Sequence, residues 1–364
     1  PRRGGAVEGA DSTLLSQPAD GPVELKSIDV LGFGPEGLLL VGDGRASQIV
    51  AIDTGDSAWQ GGMKQPIKDI AGQLAARLGA AADGIEIIDL ATNPASGKIY
   101  IALRKQDDKA HAILTVNAEG KIAELPLHKA RHARIELDGG SSPVSKVTDV
   151  AWADDRVLAA GRSGETFASK IFSVPVPLKH NDKSQVFSAE TYHVSHGKWE
   201  TKAPMSVMIP FKEKDQTYVI GAFSCTPIVK YPVSAVQPGA QVKGLSVLEL
   251  GSGNRPIDMF TYEKDGDTWV LSNTFRFHHD RRPVGPSPYW TVKFKQSILA
   301  EGDAVNEKAL RRVKSDPAVS TPELGVIVAD SFHGVMQMDK LDDRRAVVLR
   351  EAKEGVELAP LELP

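Results

Sequence analysis

Short runs of apolar residues recur along the chain, separated by turn-forming residues. Residues 27–53 show the arrangement: an apolar run, a Gly-Pro turn, a second apolar run, a polar loop and a third apolar run. Runs of this kind bounded by Gly, Pro, Asn and Asp predict β-strands. The arrangement returns at 86–116, 146–176, 202–233, 254–295 and 334–363. The chain is therefore expected to be all-β and to contain six copies of one structural unit.

An acidic residue marks the first strand in four of the six copies. The marking residues are Asp29, Asp89, Asp149 and Asp258, with Ser206 and Met336 at the matching places in the other two copies. Successive positions lie 52 to 78 residues apart, which is long for a propeller repeat and indicates insertions in the connecting loops. Six copies predict a six-bladed β-propeller with four-stranded antiparallel blades.

The fourth, outer strands are less regular. The candidates are KIAELPL (121–127), VFSAETY (186–192) and VKGLSVLEL (242–250). The last copy ends after its third strand. We therefore expect the N-terminal segment, around 22–26 or 12–15, to supply its outer strand and close the ring of blades. This predicts a flexible segment at 1–21 and a single propeller domain at 22–364.

One segment departs from the strand pattern. Residues 67–79 read IKDIAGQLAARLG and place Ile70, Leu74 and Leu78 four residues apart, before Gly79. This spacing predicts a short amphipathic helix. A second helix is expected at 306–314, and both would be insertions between copies.

Two sequence segments resemble the repeat of a known class of propellers. IDVLGFGPEGLLLVGD and PIDMFTYEKDGDTWVLSN resemble the repeat of NHL-like and YVTN-like six-bladed propellers, in which a strand ending near an acidic residue precedes a Gly turn and a second strand. The resemblance covers most of the chain as a repeat pattern. It implies a fold shared by metal-dependent lyases with histidine ligands, by lactonases and by binding proteins.

Composition narrows the classes of function. The formal net charge is −4, without the basic face typical of nucleic-acid-binding proteins. No apolar run approaches the roughly 18 residues of a membrane span. The only cysteine, Cys225, excludes an intramolecular disulfide framework. The sequence opens at Pro1 with a Gly/Ala/Ser-rich stretch, which favours an exported protein, periplasmic or secreted.

Histidines concentrate in one class of loop. In a four-stranded blade, the loops between strands two and three share a face with the links between blades, and we call this the top face. The histidines assigned to it are His111, His128, His132, His193, His196, His278, His279 and His333. His180 alone is assigned to the opposite face. Arg104, Arg162, Arg276, Arg281, Arg282 and Cys225 are also assigned to the top face. A ligand site is therefore expected in its central funnel.

The leading functional prediction is a metal-dependent enzyme, of lyase or oxidoreductase type, acting on a small and possibly anionic substrate. Neutral imidazoles suit copper, zinc or iron. The candidate metal ligands are His193, His196, His278, His279 and His333. Arg276 and Arg282 are the candidate catalytic residues, because guanidinium groups would orient an anionic substrate. His333 and one histidine of FRFHHD are expected to line the funnel.

Two alternatives remain open. The first is a non-catalytic propeller whose top face docks a protein or a carbohydrate. The second is a calcium-dependent, lactonase-like hydrolase that uses carboxylates near the axis. The marking aspartates more simply bond to backbone groups around the central channel, which is a structural role.

Overall fold

The computed structural model describes residues 13–164, 168–200, 204–225, 227–251, 253–283, 285–302, 305–311 and 319–364. Within these residues the chain forms six antiparallel sheets arranged as blades around one axis. We number the blades I to VI in the order in which their first strands occur. The predicted six-bladed β-propeller is confirmed.

The blades have the following strands, from the axis outwards. Blade I contains Val30–Phe33, Leu38–Asp43, Gln48–Asp53 and Ala130–Glu136. Blade II contains Ile85–Thr92, Ile99–Lys105, His111–Val116 and Ile122–Glu124. Blade III contains Val144–Ala153, Arg156–Ser163, Ser169–Pro175 and Gln185–His193.

The remaining blades follow in the same way. Blade IV contains Met205–Glu213, Gln216–Phe223, Pro227–Pro232 and Leu245–Glu249. Blade V contains Asn254–Lys264, Asp267–Arg276, Tyr289–Lys295 and Val326–Val328. Blade VI has three strands: Val335–Lys340, Arg345–Ala352 and Gly355–Glu362. Each of the three predicted outer-strand segments overlaps an outer strand, in blades II, III and IV.

Smaller elements complete the description. Short strands at Leu15–Ser16, Ala19–Gly21, Leu178–Lys179, Asp182–Lys183, Lys198–Glu200 and Ala240–Lys243 pair along the outer parts of blades I and III. Turns of 3-10 helix occur at Pro35–Gly37, Gly44–Ala46, Val233–Ala235, Gln296–Ala300, Glu307–Ala309, Pro322–Leu324 and Asp330–Phe332. No helix of the described residues is long and apolar enough to cross a membrane.

The hydrophobic core is divided among the junctions between blades. Six clusters of buried side chains each combine residues from two neighbouring blades. Val41 of blade I and Ala102 of blade II, for example, belong to one cluster, and both are fully buried. Strands that are buried on both faces read as nearly continuous apolar runs, and this explains why second strands such as Leu38–Asp43 are so strongly apolar.

The order of blades around the ring differs from their order in the chain. Blade I lies between blades II and III, and blade II lies beside blade VI. The chain leaves blade I after three strands, builds blade II and returns to add Ala130–Glu136 as the outer strand of blade I. Because only residues 125–129 separate that strand from the outer strand of blade II, the return needs no long crossover.

The N-terminal segment does not complete blade VI. Leu15–Ser16 pairs with Leu178–Lys179, and Ala19–Gly21 pairs with the outer strand of blade I. The predicted closure of blade VI by the N-terminal segment, around 22–26 or 12–15, is therefore wrong, and the predicted flexible segment 1–21 contains two strands. Residues 1–12 lie outside the described residues.

Blade VI is covered by the segment between the third strand of blade I and the first strand of blade II. Ile67 forms an antiparallel bridge with Leu358 of the last strand, and the helix α1 (Ile70–Arg77) packs beside it. Ile70 and Leu74 are fully buried there, so the predicted amphipathic helix is confirmed. The second predicted helix, 306–314, contains only a 3-10 turn at Glu307–Ala309, and its residues 312–314 lie outside the described residues.

Candidate functional site

A cavity of about 1280 Å³ follows the axis of the ring. Its lining includes residues from the inner strands of all six blades. The first residues of the inner strands form the top mouth, and the last residues form the opposite mouth. A concave channel of this size is a natural place for a small ligand.

Aspartates join neighbouring blades along the channel wall. Each bonds through its carboxylate to a backbone N–H of the next blade. The pairs are Asp89 with Leu31 (2.6 Å), Asp29 with Val147 (3.0 Å), Asp149 with Met208 (2.6 Å), Asp258 with Met338 (2.8 Å) and Asp339 with Thr92 (2.7 Å). The predicted structural role of the four marking aspartates is confirmed, and Asp339 plays the same role in blade VI.

These carboxyl groups are shielded from bulk water. Burial raises the pKa of Asp89 to about 7 and that of Asp149 to about 8. Burial also raises the pKa of Asp339 to about 6 and that of Asp258 well above its ordinary value. The neighbouring aspartates add to the rise at Asp149, because like charges in one channel oppose ionisation.

Three cations line the top mouth, and we call them the basic mouth: Lys146, Arg162 and Arg255. Lys146 stands directly opposite Arg162 across the first two strands of blade III. Like charges in directly opposed positions destabilise a sheet. Among the described residues, no carboxylate forms an ion pair with either side chain.

Arg255 is held at the same mouth from blade V. Its guanidinium lies 5.7 Å from the centre of the Phe275 ring, directly across the strand pair. Tyr289, whose ring packs 5.2 Å from Phe275, also lines the cavity. The aromatic contact orients Arg255 without neutralising its charge.

A polar cluster lies beside the basic mouth on blade II. Glu86, which lines the cavity, forms an ion pair with Arg104 on the adjacent strand. His111 accepts the backbone N–H of Ile28 at its Nδ1 atom (3.3 Å), so its proton is on Nε2. Burial lowers the pKa of His111, and the positive charge of Arg104 lowers it further. The imidazole is therefore neutral at physiological pH.

The predicted metal ligands fall into separate places. The rings of His193, the last residue of the outer strand of blade III, and His196 stack with their centres 5.4 Å apart. Glu249 lies beside them and accepts the backbone N–H groups of Val194 and Ser195. Burial raises the pKa of Glu249. None of these groups lines the axial channel.

The other predicted site residues belong to blades V and VI. His278 is exposed on the turn that also carries exposed Arg282, and His279 is half-buried there. A Cβ placed at Gly285 would lie 3.4 Å from Cε1 of His333 and 3.9 Å from Nη2 of Arg276, so both side chains lie beside this glycine. Arg276 is buried and donates from Nη2 to the backbone oxygen of Ser287 (2.7 Å).

The structure does not bring the five predicted metal ligands together. None of them, and neither Arg276 nor Arg282, is among the residues that line the channel. In the described part of the chain, no group of three or more His, Cys, Asp or Glu side chains is arranged to hold a metal ion. The metal site stays a prediction of the sequence.

Assigning loops to faces misplaced His132. His132 was assigned to the top face and His180 to the opposite face, yet their rings lie 5.7 Å apart. The reason is that Ala130–Glu136 is the outer strand of blade I and not a link between blades. Lys146 and Arg255 were missed, although both stand near the start of an inner strand, where a long side chain reaches the mouth.

Comparisons with known proteins identify no family. No family model and no curated protein matches the chain. Among solved structures, the Malassezia sympodialis allergen Mala s 1 is 10% identical, with a TM-score of 0.37 and 96% of each chain covered.

Two enzyme structures are similar to this chain at comparable levels of identity and TM-score. The PQQ-bound aldose sugar dehydrogenase of Streptomyces coelicolor is 10% identical, with a TM-score of 0.33, over 94% of this chain and 97% of that one. An endo-arabinase of Bacteroides thetaiotaomicron is 9% identical, with a TM-score of 0.36, over 74% and 90%. Likenesses this distant assign the chain to no family and give it no activity, and the NHL-like or YVTN-like repeat type stays a prediction.

Proposed function

We propose that this propeller binds a small organic anion in its axial channel, with a carboxylate or phosphate group at the basic mouth. The observation that carries the proposal is the direct opposition of Lys146 and Arg162 at the opening of the channel. A bound anion would turn this repulsive pair into two charge-assisted contacts.

The surroundings of the pair support the same ligand. Arg255 adds a third positive charge from blade V, and its guanidinium can form two parallel hydrogen bonds to one carboxylate or phosphate. The carboxyls deeper in the channel are already bonded to backbone N–H groups.

The metal-dependent enzyme predicted from the sequence is compatible with this proposal but is not needed for it. Anion binding by the basic mouth requires only side chains of the chain itself. Any transformation of the bound anion would depend on groups that line the channel, and Glu86 of blade II is one of them.

The proposal is tested by calorimetric titration in chloride buffer with phosphate, pyrophosphate, citrate and malate. At least one anion should bind saturably, and Lys146→Gln or Arg162→Gln should weaken it roughly tenfold or more, because hydrogen bonds to charged groups contribute about 1.5–3 kcal/mol each. Lys121→Gln removes an exposed charge from a turn between the third and fourth strands of blade II and is the matched control. Undiminished binding by both mouth variants, or no binding by the unmodified protein, would contradict the proposal.

A further inference from the structure

The opposite mouth of the channel has a different chemistry. Phe33, Trp59 and Trp152 line the cavity there, and we call them the aromatic mouth. Trp59 is 55% exposed, the largest exposed fraction among the large apolar side chains of the described residues. An exposed indole at the edge of a cavity offers a flat apolar face to a ligand.

Trp59 is held in place by a buried polar network. Asp56, three residues earlier, is 7% exposed. Its carboxylate accepts hydrogen bonds from Ser96 Oγ (2.8 Å) and Tyr100 Oη (3.1 Å), and it forms an ion pair with Lys98 Nζ (3.0 Å). Bonds of this kind fix the loop that carries the tryptophan to blade II.

The indole rings of Trp59 and Trp152 each pack closely against a glycine of a neighbouring blade. A side chain at Gly97 would place its Cβ 2.9 Å from Cζ3 of Trp59, and one at Gly34 would place its Cβ 2.6 Å from Cε3 of Trp152. Gly97 also has a φ of +77°, which glycine adopts without strain. Both indole rings therefore lie against the backbone of a neighbouring blade, and their positions do not depend on a ligand.

The rim of the aromatic mouth is charged. Lys340 and Asp343 of blade VI line the cavity and form an exposed ion pair (3.4 Å). Arg345, at the end of the same turn, donates from Nη1 to the backbone oxygen of Met63 (2.8 Å), four residues after Trp59. The tryptophan loop is thus tied to this charged turn.

The exposed indole and the charged rim of the aromatic mouth together favour one class of ligand. An apolar chain would require an enclosed groove, whereas Trp59 is open to solvent and stands beside charges of both signs. A sugar ring has one face of C–H groups, which covers an indole, and a rim of hydroxyl groups, which bond to ammonium and carboxylate groups. We infer that the aromatic mouth is a carbohydrate-binding site for an uncharged sugar ring, separate from the basic mouth.

The inference is tested with cellohexaose, maltohexaose, xylohexaose and arabinohexaose, by tryptophan fluorescence and calorimetry on the full chain. At least one oligosaccharide should bind saturably. Trp59→Ala should weaken that binding about tenfold or more, and Trp59→Tyr should weaken it less, because a ring remains to stack. Phe277→Ala, at an aromatic residue that is 44% exposed and outside the cavity, should leave binding unchanged.

Two further results decide the inference. Lys146→Gln should leave sugar binding intact, since its side chain lies at the other mouth, so failure of the anion proposal and failure of this one remain distinguishable. The inference is overturned if no oligosaccharide binds, if Trp59→Ala binds as tightly as the unmodified protein, or if Lys146→Gln abolishes sugar binding. Binding of an apolar dye that depends on Trp59, without any sugar binding, would also overturn it.

Discussion

Asp149 shows how one side chain can both join two blades and make the fold sensitive to pH. Its Oδ2 atom accepts the Met208 N–H of blade IV, and its Oδ1 atom accepts the N–H of Val150 (2.7 Å). Burial nevertheless raises the pKa of this carboxyl to about 8. The desolvation of the charged form therefore outweighs the two hydrogen bonds.

The raised pKa of Asp149 predicts that stability falls as pH rises. A carboxyl whose pKa is higher in the folded than in the unfolded protein stabilises the fold fully below its unfolded pKa, about 3.8, and loses this contribution as pH rises through about 8. Urea unfolding between pH 5 and pH 9, values chosen to span that range, should show this decline. Asp149→Asn should reduce the slope by up to about 1.4 kcal/mol per pH unit, while Asp83→Asn, at an exposed loop position, should not. Equal slopes of stability against pH in the Asp149→Asn and Asp83→Asn variants would contradict the raised pKa assigned to Asp149.

Single residues were predictable where their role follows from position in the repeat. The recurrence of Asp29, Asp89 and Asp149 at one place in the first strand was sufficient to infer bonds around the channel. The location of His333 was not predictable in the same way. Its ring lies against Gly285, in a loop of blade V whose path the sequence does not determine.

At the scale of elements, the helix α1 takes the place that the N-terminal strand was expected to fill. The sequence predicts that the last copy lacks a fourth strand, and the three-stranded blade VI confirms this. It does not show which segment covers the gap, because any apolar segment of suitable length can do so. Likewise, nothing in the sequence of Ala130–Glu136 specifies that it pairs with blade I.

Leu74 tests the role of α1. Its side chain is fully buried in the cluster shared by blades II and VI, so Leu74→Ala should lower the free energy of unfolding by about 2–5 kcal/mol. Arg77→Ala, at an exposed position on the same helix, should change it by less than about 0.5 kcal/mol. Urea unfolding measures both. If Leu74→Ala proves as mild as Arg77→Ala, then α1 does not hold blade VI closed.

The whole molecule is a ring whose two openings differ in chemistry. The net charge of the chain is −4, yet the top mouth gathers Lys146, Arg162 and Arg255, and the opposite mouth gathers aromatic rings. The repeat pattern predicted the ring and therefore a central channel. It did not predict the two mouths, because each mouth gathers residues from distant parts of the chain that come together only in the folded ring.

The position of a bound anion tests the central claim most directly. Crystals soaked in tungstate, a heavy analogue of phosphate, should show an anomalous difference peak between Lys146 Nζ and the Arg162 guanidinium, within reach of Arg255. Crystals of the Lys146→Gln, Arg162→Gln double variant should lose this peak and keep any others. A peak at the mouth that persists in the double variant, or its absence from the unmodified protein, would contradict the account.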